Sequence, residues 1–253
     1  MIRSAALVVL LAVLASGGWA AEKRSGYQDA SPETRALQDD DSENPGFLWV
    51  QQGEALWSQR PDGGGRSCAD CHGAASGAMR GVAARYPVFD KHLGRPITLE
   101  QRIQQCRVER QGVAAWPAES DALLGLTAYL GLQSRGMPVE VVIDGPARSF
   151  FEAGKTQFST RQGQLNLSCS QCHDGLAGQR LGGSVIPQAH PNGYPEYRLE
   201  WQSMGSLERR IRNCLVGVRA EPLAPNAPEM VNLELYLGWR ANGLPVETPA
   251  VRP

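Results

Sequence analysis

The residues of this 253-residue chain best equipped for chemistry are its cysteines, six in number, and two of its four histidines. They gather in Cys68-Ala-Asp-Cys71-His72 and Cys169-Ser-Gln-Cys172-His173. Thiols three residues apart share one side of a helical turn, where they can add to the vinyl groups of a haem while the adjoining histidine ligates the iron from one face. An isolated Cys-x-x-Cys can also be a redox disulfide or half of a zinc site. Neither half of the chain offers a second tight ligand pair for zinc, so the leading expectation is two covalent haem c groups. Cys68, Cys71, Cys169 and Cys172 would attach them, and His72 and His173 would each supply one axial bond.

The motifs belong to a larger duplication. Trp49, Gly53, Trp57, Ser58 and Arg60 recur as Phe150, Gly154, Phe158, Ser159 and Arg161, at the offset of 101 that also separates the two cysteine motifs. Leu99-Glu-Gln-Arg-Ile-Gln-Gln-Cys106 matches Leu207-Glu-Arg-Arg-Ile-Arg-Asn-Cys214 at an offset of 108, and Tyr129-Leu-Gly through Glu140 matches Tyr236-Leu-Gly through Glu247. Each half reads as an aromatic-rich helix, the cysteine motif, an irregular Gly/Pro-rich segment, a helix ending in cysteine, and a terminal amphipathic helix with a Gly-x-Pro stop. The glycine between the paired aromatics would let another helix approach closely. The expected fold is all-α: two tandem cytochrome c-type domains at 46–138 and 147–253, joined by a short stretch from Val139 to Pro146. The irregular segments, Gly73 to Gly94 and Gly175 to Pro195, would be organised by the haem itself.

The sixth iron ligand can be sorted by the same duplication. Met79, Met137, Met204 and Met230 have no counterpart in the other half, and His92 and His190 lie at different distances from the helices that follow them. Only Cys106 and Cys214 recur, 34 and 41 residues after the motif histidines. A disulfide joining the halves remains open for this pair, but equivalent thiols in separate domains would need a special face-to-face packing to meet. Thiolate ligation fits better, and it would favour ferric iron and a lowered potential. Arg210 lies one helical turn before Cys214, as Arg102 does before Cys106. Arg209, Arg210 and Arg212 crowd the second cysteine where the first has Gln101, Arg102 and Gln104, so an anionic substrate would favour the second site. A solvated basic helix face is the plainer reading of those arginines.

Composition sets the surroundings. With 42% hydrophobic and 20% charged residues the chain can bury a core, and 25 basic against 26 acidic residues gives a net charge of −1. Neither nucleic acid nor a membrane is an expected partner. Arg3, the apolar run from Ala5 to Leu14, and small residues ending at Ala20 have the form of a secretory leader, residues 1–20, which would place the mature chain outside the cytoplasm. Residues 21–45, with Asp39, Asp40, Asp41 and Glu43 clustered, read as an extended, solvated N-terminal arm.

These motifs together resemble the SoxA family, catalytic subunits of the SoxAX cytochromes of bacterial thiosulfate oxidation. The carrying segments are Gly163-Gln-Leu-Asn-Leu-Ser-Cys169-Ser-Gln-Cys172-His173, Tyr194-Pro-Glu-Tyr-Arg-Leu-Glu-Trp201-Gln, Gly205-Ser-Leu-Glu-Arg-Arg-Ile-Arg-Asn-Cys214 and Arg219-Ala-Glu-Pro222. Retention of Cys68, Cys71, His72 and Cys106 resembles the dihaem members. The resemblance implies a periplasmic L-cysteine S-thiosulfotransferase whose C-terminal haem, held by His173 and a persulfidated Cys214, is the active one. It implies that Arg210 binds substrate, that His72 and Cys106 ligate the other iron, and that the chain pairs with SoxX as a heterodimer. Thiosulfate would be coupled to a cysteine of the carrier SoxYZ, with two electrons passing through SoxX to a cytochrome c. The rivals are a plain dihaem electron-transfer cytochrome, a tetrathionate-forming thiosulfate dehydrogenase, and a disulfide-linked binding module. With four cysteines attaching haem and two ligating iron, no disulfide is expected.

Overall fold

The computed structural model describes residues 22–253, so the expected leader lies outside the described residues. The chain opens with two short helices, α1 (Gly26–Asp29) and α2 (Pro32–Asp39). The first half follows as α3 (Phe47–Ser58), α4 (Cys68–His72), α5 (Ala75–Ala78), a hairpin of β1 (Val88–Asp90) and β2 (Arg95–Ile97), α6 (Leu99–Cys106) and α7 (Asp121–Leu132). The second half repeats the order with α8 (Arg148–Ser159), α9 (Cys169–His173), strands β3 (Arg180–Leu181), β4 (Ser184–Val185), β5 (Glu196–Arg198) and β6 (Ser203–Gly205), then α10 (Leu207–Gly217) and α11 (Pro228–Arg240). Strand β7 (Ala250–Arg252) closes the chain by adding to β5 in parallel.

Each half is framed by one crossing of helices, α3 on α7 and α8 on α11. The glycine in the aromatic stripe is what permits it. A Cβ on Gly53 would stand 2.1 Å from the carbonyl oxygen of Gly125, and one on Gly154 would stand 2.0 Å from that of Asn232. Both distances are inside van der Waals contact, so the crossings exist only because that atom is missing. The aromatics then lie against the partner helix: Trp57 beside Tyr129 at 6.5 Å, and Phe158 beside Tyr236 at 5.2 Å between ring centroids.

The all-α expectation needs correction, because a hairpin recurs in both halves. Val88 pairs with Ile97, and Glu196 with Gly205, so the two hairpins share register at the 108-residue offset. Three-residue strands are too short to display alternation in a sequence, yet the irregular segments must still pair their backbone groups once they are covered. The signal that was there is Tyr86-Pro87, which recurs as Tyr194-Pro195 at that offset. The additional hairpin β3–β4 lies in the loop that makes the second half's histidine-to-cysteine interval longer.

The arm is another correction. Ser25 and Ser31 cap α1 and α2, with Pro32 in the first turn of α2, so the segment is helical where an extended, solvated arm was expected. It is pinned to the end of the second half. Gln38 Oε1 accepts from Val251 N at 3.0 Å, Asn44 Nδ2 donates to Pro249 O at 2.9 Å, and Arg24 N donates to Gln188 Oε1 at 2.9 Å. The acidic run is used as well as solvated, since Asp41 receives both Arg135 terminal nitrogens at 2.6 and 2.8 Å.

The halves face each other about a local pseudo-twofold. Their Gly-x-Pro stops pair antiparallel at Pro138 and Pro245, with Gly136 N donating to Val246 O and Val246 N to Met137 O, both at 2.8 Å. Met204 on β6 packs into the first half among Val50, Leu124 and Ala128. The joining stretch forms no strand, yet its burial alternates: Val139, Val141 and Ile143 are buried in the second half's core, while Glu140, Val142 and Asp144 between them are exposed.

Between the halves lies a cavity lined in part by Glu100, Thr127, Tyr194 and Glu234. Glu234 is buried on α11, and its carboxyl is pushed well above the ordinary range by burial, with Glu100, Glu208 and Glu119 adding repulsion. It is therefore carried protonated where the unfolded chain would have released the proton. Its contribution to stability is complete at low pH and drains away as pH rises toward the folded value. Glu234→Gln should consequently raise the thermal midpoint at about pH 8, with the gain vanishing near the ordinary glutamate pKa of about 4.3. A gain of equal size at both pH values would contradict this.

Candidate functional site

The two cysteine motifs form the five-residue helices α4 and α9, too short to persist without capping. Ser67 and Asp70 supply a complete capping box, each side chain bonded to the other's backbone N–H at 3.0 Å. At the second motif Gln171 Oε1 accepts from Ser168 N at 2.9 Å. Trp57, buried on α3, donates from Nε1 to the carbonyl of Gly73 at 2.9 Å and sets its ring 5.8 Å from that of His72. The frame helix thus fixes the histidine end of the motif.

His173 is oriented by a different device. Its Nδ1 lies 2.7 Å from the carbonyl oxygen of Pro187, which assigns the proton to Nδ1 and leaves Nε2 free for a metal. Burial lowers its pKa, and the nearby Arg210 and Arg240 lower it further, so the ring is held neutral, the form that ligates iron.

The structure brings each recurring cysteine to the motif of its own half. Cys106 lies close enough to Cys68 and Cys71, and Cys214 to Cys169, for their charges to interact. Burial raises the Cys68 thiol, with Cys106 adding, and pushes Cys169 up to about 11, with Cys214 adding. All six cysteines are free, and the Cys106–Cys214 disulfide is not formed. At Cys106 α6 passes into a π-helical turn, Arg107–Gln111, while α10 continues to Gly217 and carries Cys214 exposed on its surface, not at its end as expected.

This arrangement fits a haem in each half. Four desolvated or attachment-spaced thiols stand beside two histidines, and each site has a buried arginine nitrogen with no hydrogen-bond partner. These are Arg107 Nε, on a side chain near Cys68, and Arg240 Nε, on one near His173. Such orphaned donors suit the carboxylates of a haem. Of the methionines, Met204 and Met230 are fully buried in apolar clusters and Met137 packs against Gly81, whereas Met79 lies partly buried against the cluster on which Cys68 also packs. His190 directs Nδ1 to the carbonyl of Arg24 at 2.7 Å, and His92 stands exposed at the tip of the first hairpin.

The three arginines of α10 separate in space. Arg209 stacks on Trp201 at 4.1 Å and donates to Ser203 Oγ at 3.2 Å, which makes it part of the hairpin packing. Arg212 acts on Glu208. Arg210 lies close enough to His173 for its charge to lower the ring's pKa, and its one ion pair is a 3.4 Å contact with Glu200.

Two haem-motif helices, each opposed by a cysteine, define a cytochrome c-type protein, and comparison with known proteins carries this further. The family model described as SoxA/TsdA, cytochrome c domain, matches residues 52–139 and 153–246. The chain belongs to this SoxA/TsdA cytochrome c family, and its domains are of the kind that binds haem c covalently. It is 41% identical over 232 residues to the L-cysteine S-thiosulfotransferase subunit SoxA of Rhodovulum sulfidophilum, covering 91% of this chain and 80% of that one. It is 37% identical to the subunit of the same name from Paracoccus pantotrophus, covering 90% and 78%. A solved structure described as SoxXA from P. pantotrophus superposes with a TM-score of 0.87 at 37% identity, covering 90% of this chain and 86% of that one.

Proposed function

We propose that the chain is the catalytic partner in an oxidative coupling of thiosulfate to a cysteine of the carrier SoxYZ. The observation that carries the reading is the exposed Cys214 on the same helix as Arg210, the first near Cys169 and the second near His173. Names of relatives at 37–41% identity support the same activity. The SoxXA neighbour supports a heterodimer with a SoxX cytochrome. The leader-like residues 1–20 support action in the periplasm after cleavage near Ala20.

Two haems are assigned, one to Cys68, Cys71, His72 and Cys106, the other to Cys169, Cys172, His173 and Cys214. The second haem, when bound, supplies a one-electron acceptor beside the reacting sulfur and a route through SoxX to a cytochrome c. The remaining work falls to the chain. Arg210 offers a planar pair of donors to the sulfonate end of the dianion and offsets its repulsion by the Cys214 sulfur. Cys214, as thiolate or persulfide, then forms a sulfur–sulfur bond to the outer sulfur of thiosulfate as two electrons leave. A carrier thiolate attacks that outer sulfur, takes the S-thiosulfonate, and returns the Cys214 side chain as its anion. The carrier thiol's proton passes to solvent. The second site is preferred over the first because Cys106 is half-buried and Arg102 is already held at each guanidinium nitrogen, one of its partners being the buried Asp90.

Two measurements check this. The double variant Cys68→Ala/Cys71→Ala should lose half the haemochrome absorbance per chain; an unchanged value would contradict the two-haem assignment. Cys214→Ala should abolish carrier-dependent turnover, whereas Cys106→Ala should alter the spectrum of one haem and reduce turnover far less. Full activity of Cys214→Ala would overturn the assignment.

A further inference from the structure

The duplication allows the two arginines that precede the two cysteines to be compared within one molecule. In the first half each of the three guanidinium nitrogens of Arg102 is held. It donates to Asp90 Oδ2 at 2.5 Å, to Gln105 Oε1 at 2.6 Å and to the Tyr86 hydroxyl at 3.3 Å. The Asp90 side chain is only 3% exposed. The backbone N–H groups of Leu93 and His92, together with Arg102, hold its carboxyl below the usual range despite burial. An anion approaching Arg102 would have to displace a buried, immobile carboxylate, and stripping a buried charge of its partner is costly.

In the second half the charge at the matching strand end is reversed, and a carboxylate stands at the tip instead. The register places Arg198 where Asp90 stands and Glu200 where His92 stands. Arg198, with a side chain 10% exposed, is held by Glu196 at 3.1 Å and by Glu200 Oε1 at 2.9 Å. That same Glu200 oxygen is the one carboxylate contact of Arg210, at 3.4 Å, between side chains 36% and 48% exposed. The counter-ion has moved from a buried strand end to the exposed tip of a hairpin, and it is shared between two guanidinium groups. Exposed pairs of this kind are weak.

We propose that Glu200 is a displaceable counter-ion of Arg210: it holds the guanidinium in place when the site is empty and yields it to an incoming dianion. This rests on the reading of Arg210 as the substrate-binding cation and specifies how that cation is kept available. Glu200 remains paired with Arg198 after it releases Arg210, so no charge is left alone. A dianion can take the freed donors of Arg210 in a bidentate arrangement that the 3.4 Å contact does not achieve. Glu200 is thus a positioning residue, acting on substrate through Arg210.

The test uses the haem-loaded chain in complex with SoxX, comparing the parent with Glu200→Gln, Arg210→Ala and the double variant. Two quantities are read: KM for thiosulfate, and the inhibition constant of sulfate, a dianion that cannot be coupled. Glu200→Gln should lower both by about two- to fivefold, the range an exposed ion pair allows. In the Arg210→Ala background the same substitution should have no effect, because the competition it relieves is gone. A raised KM in Arg210→Ala with no fall in Glu200→Gln would overturn the counter-ion role while leaving Arg210 as the substrate cation. A fall that persists without Arg210 would also overturn it, showing a general field effect. An unchanged KM in Arg210→Ala would overturn both readings.

Discussion

Everything in this fold serves the need to hold a five-residue helix, ending in histidine, across a gap from a cysteine that arrives more than thirty residues later. His173 lines an open cavity with Gln188, His190 and Arg240, and walls of that kind must be kept apart by something rigid. The rigid part is the helix crossing beneath each motif, drawn in to backbone contact at Gly53 and at Gly154. From it Trp57 reaches the carbonyl of Gly73, and Phe158 packs on Tyr236 under the guanidinium of Arg240. The hairpins β1–β2 and β5–β6 then lead the chain to the far side, where a Thr98 or Ser206 cap starts the cysteine-bearing helix.

Duplication gives two such frames, but it does not give two equal sites. The frames are stitched to each other through their own repeated stops, Pro138 against Pro245, and through Met204 lodged in the first half. Within this shared scaffold the chemistry diverges at a few positions. Asp90 locks Arg102, whereas Arg198 and Glu200 leave Arg210 lightly held. Cys106 is half-buried, whereas Cys214 is exposed. Electrostatics on a common backbone separates a site able to receive an anion from one that is already neutralised.

Much of this was legible in the residues. The motif spacing, the paired aromatics around glycine and the recurrence of Cys106 as Cys214 are patterns of spacing and repetition, and the structure puts each of them to use, the glycines at helix crossings and the cysteines near their motifs. What escaped was set by tertiary context. The hairpins are too short to show a period, although Tyr86-Pro87 and Tyr194-Pro195 marked them. Val139, Val141 and Ile143 alternate with polar or exposed residues, but only packing on the second half's core shows that this joining stretch is buried on one side. The capped, folded arm was hidden by its charge, since Asp41 gains its role only from Arg135, ninety-four residues away. The difference between Arg102 and Arg210 lay in partners that precede them by twelve and ten residues, on a strand and a turn that sequence spacing alone did not place beside them.

The central claim is that of two similarly framed cysteines only Cys214 takes part in sulfur transfer. It is tested most directly by peptide mass spectrometry of the haem-loaded complex before and after incubation with thiosulfate and an electron acceptor. The peptide holding Cys214 should carry added sulfur, either as a persulfide at rest or as a bound thiosulfate group after incubation, while the peptide holding Cys106 stays unmodified. Modification of Cys106 to the same extent, or of neither cysteine under turnover, would contradict the account.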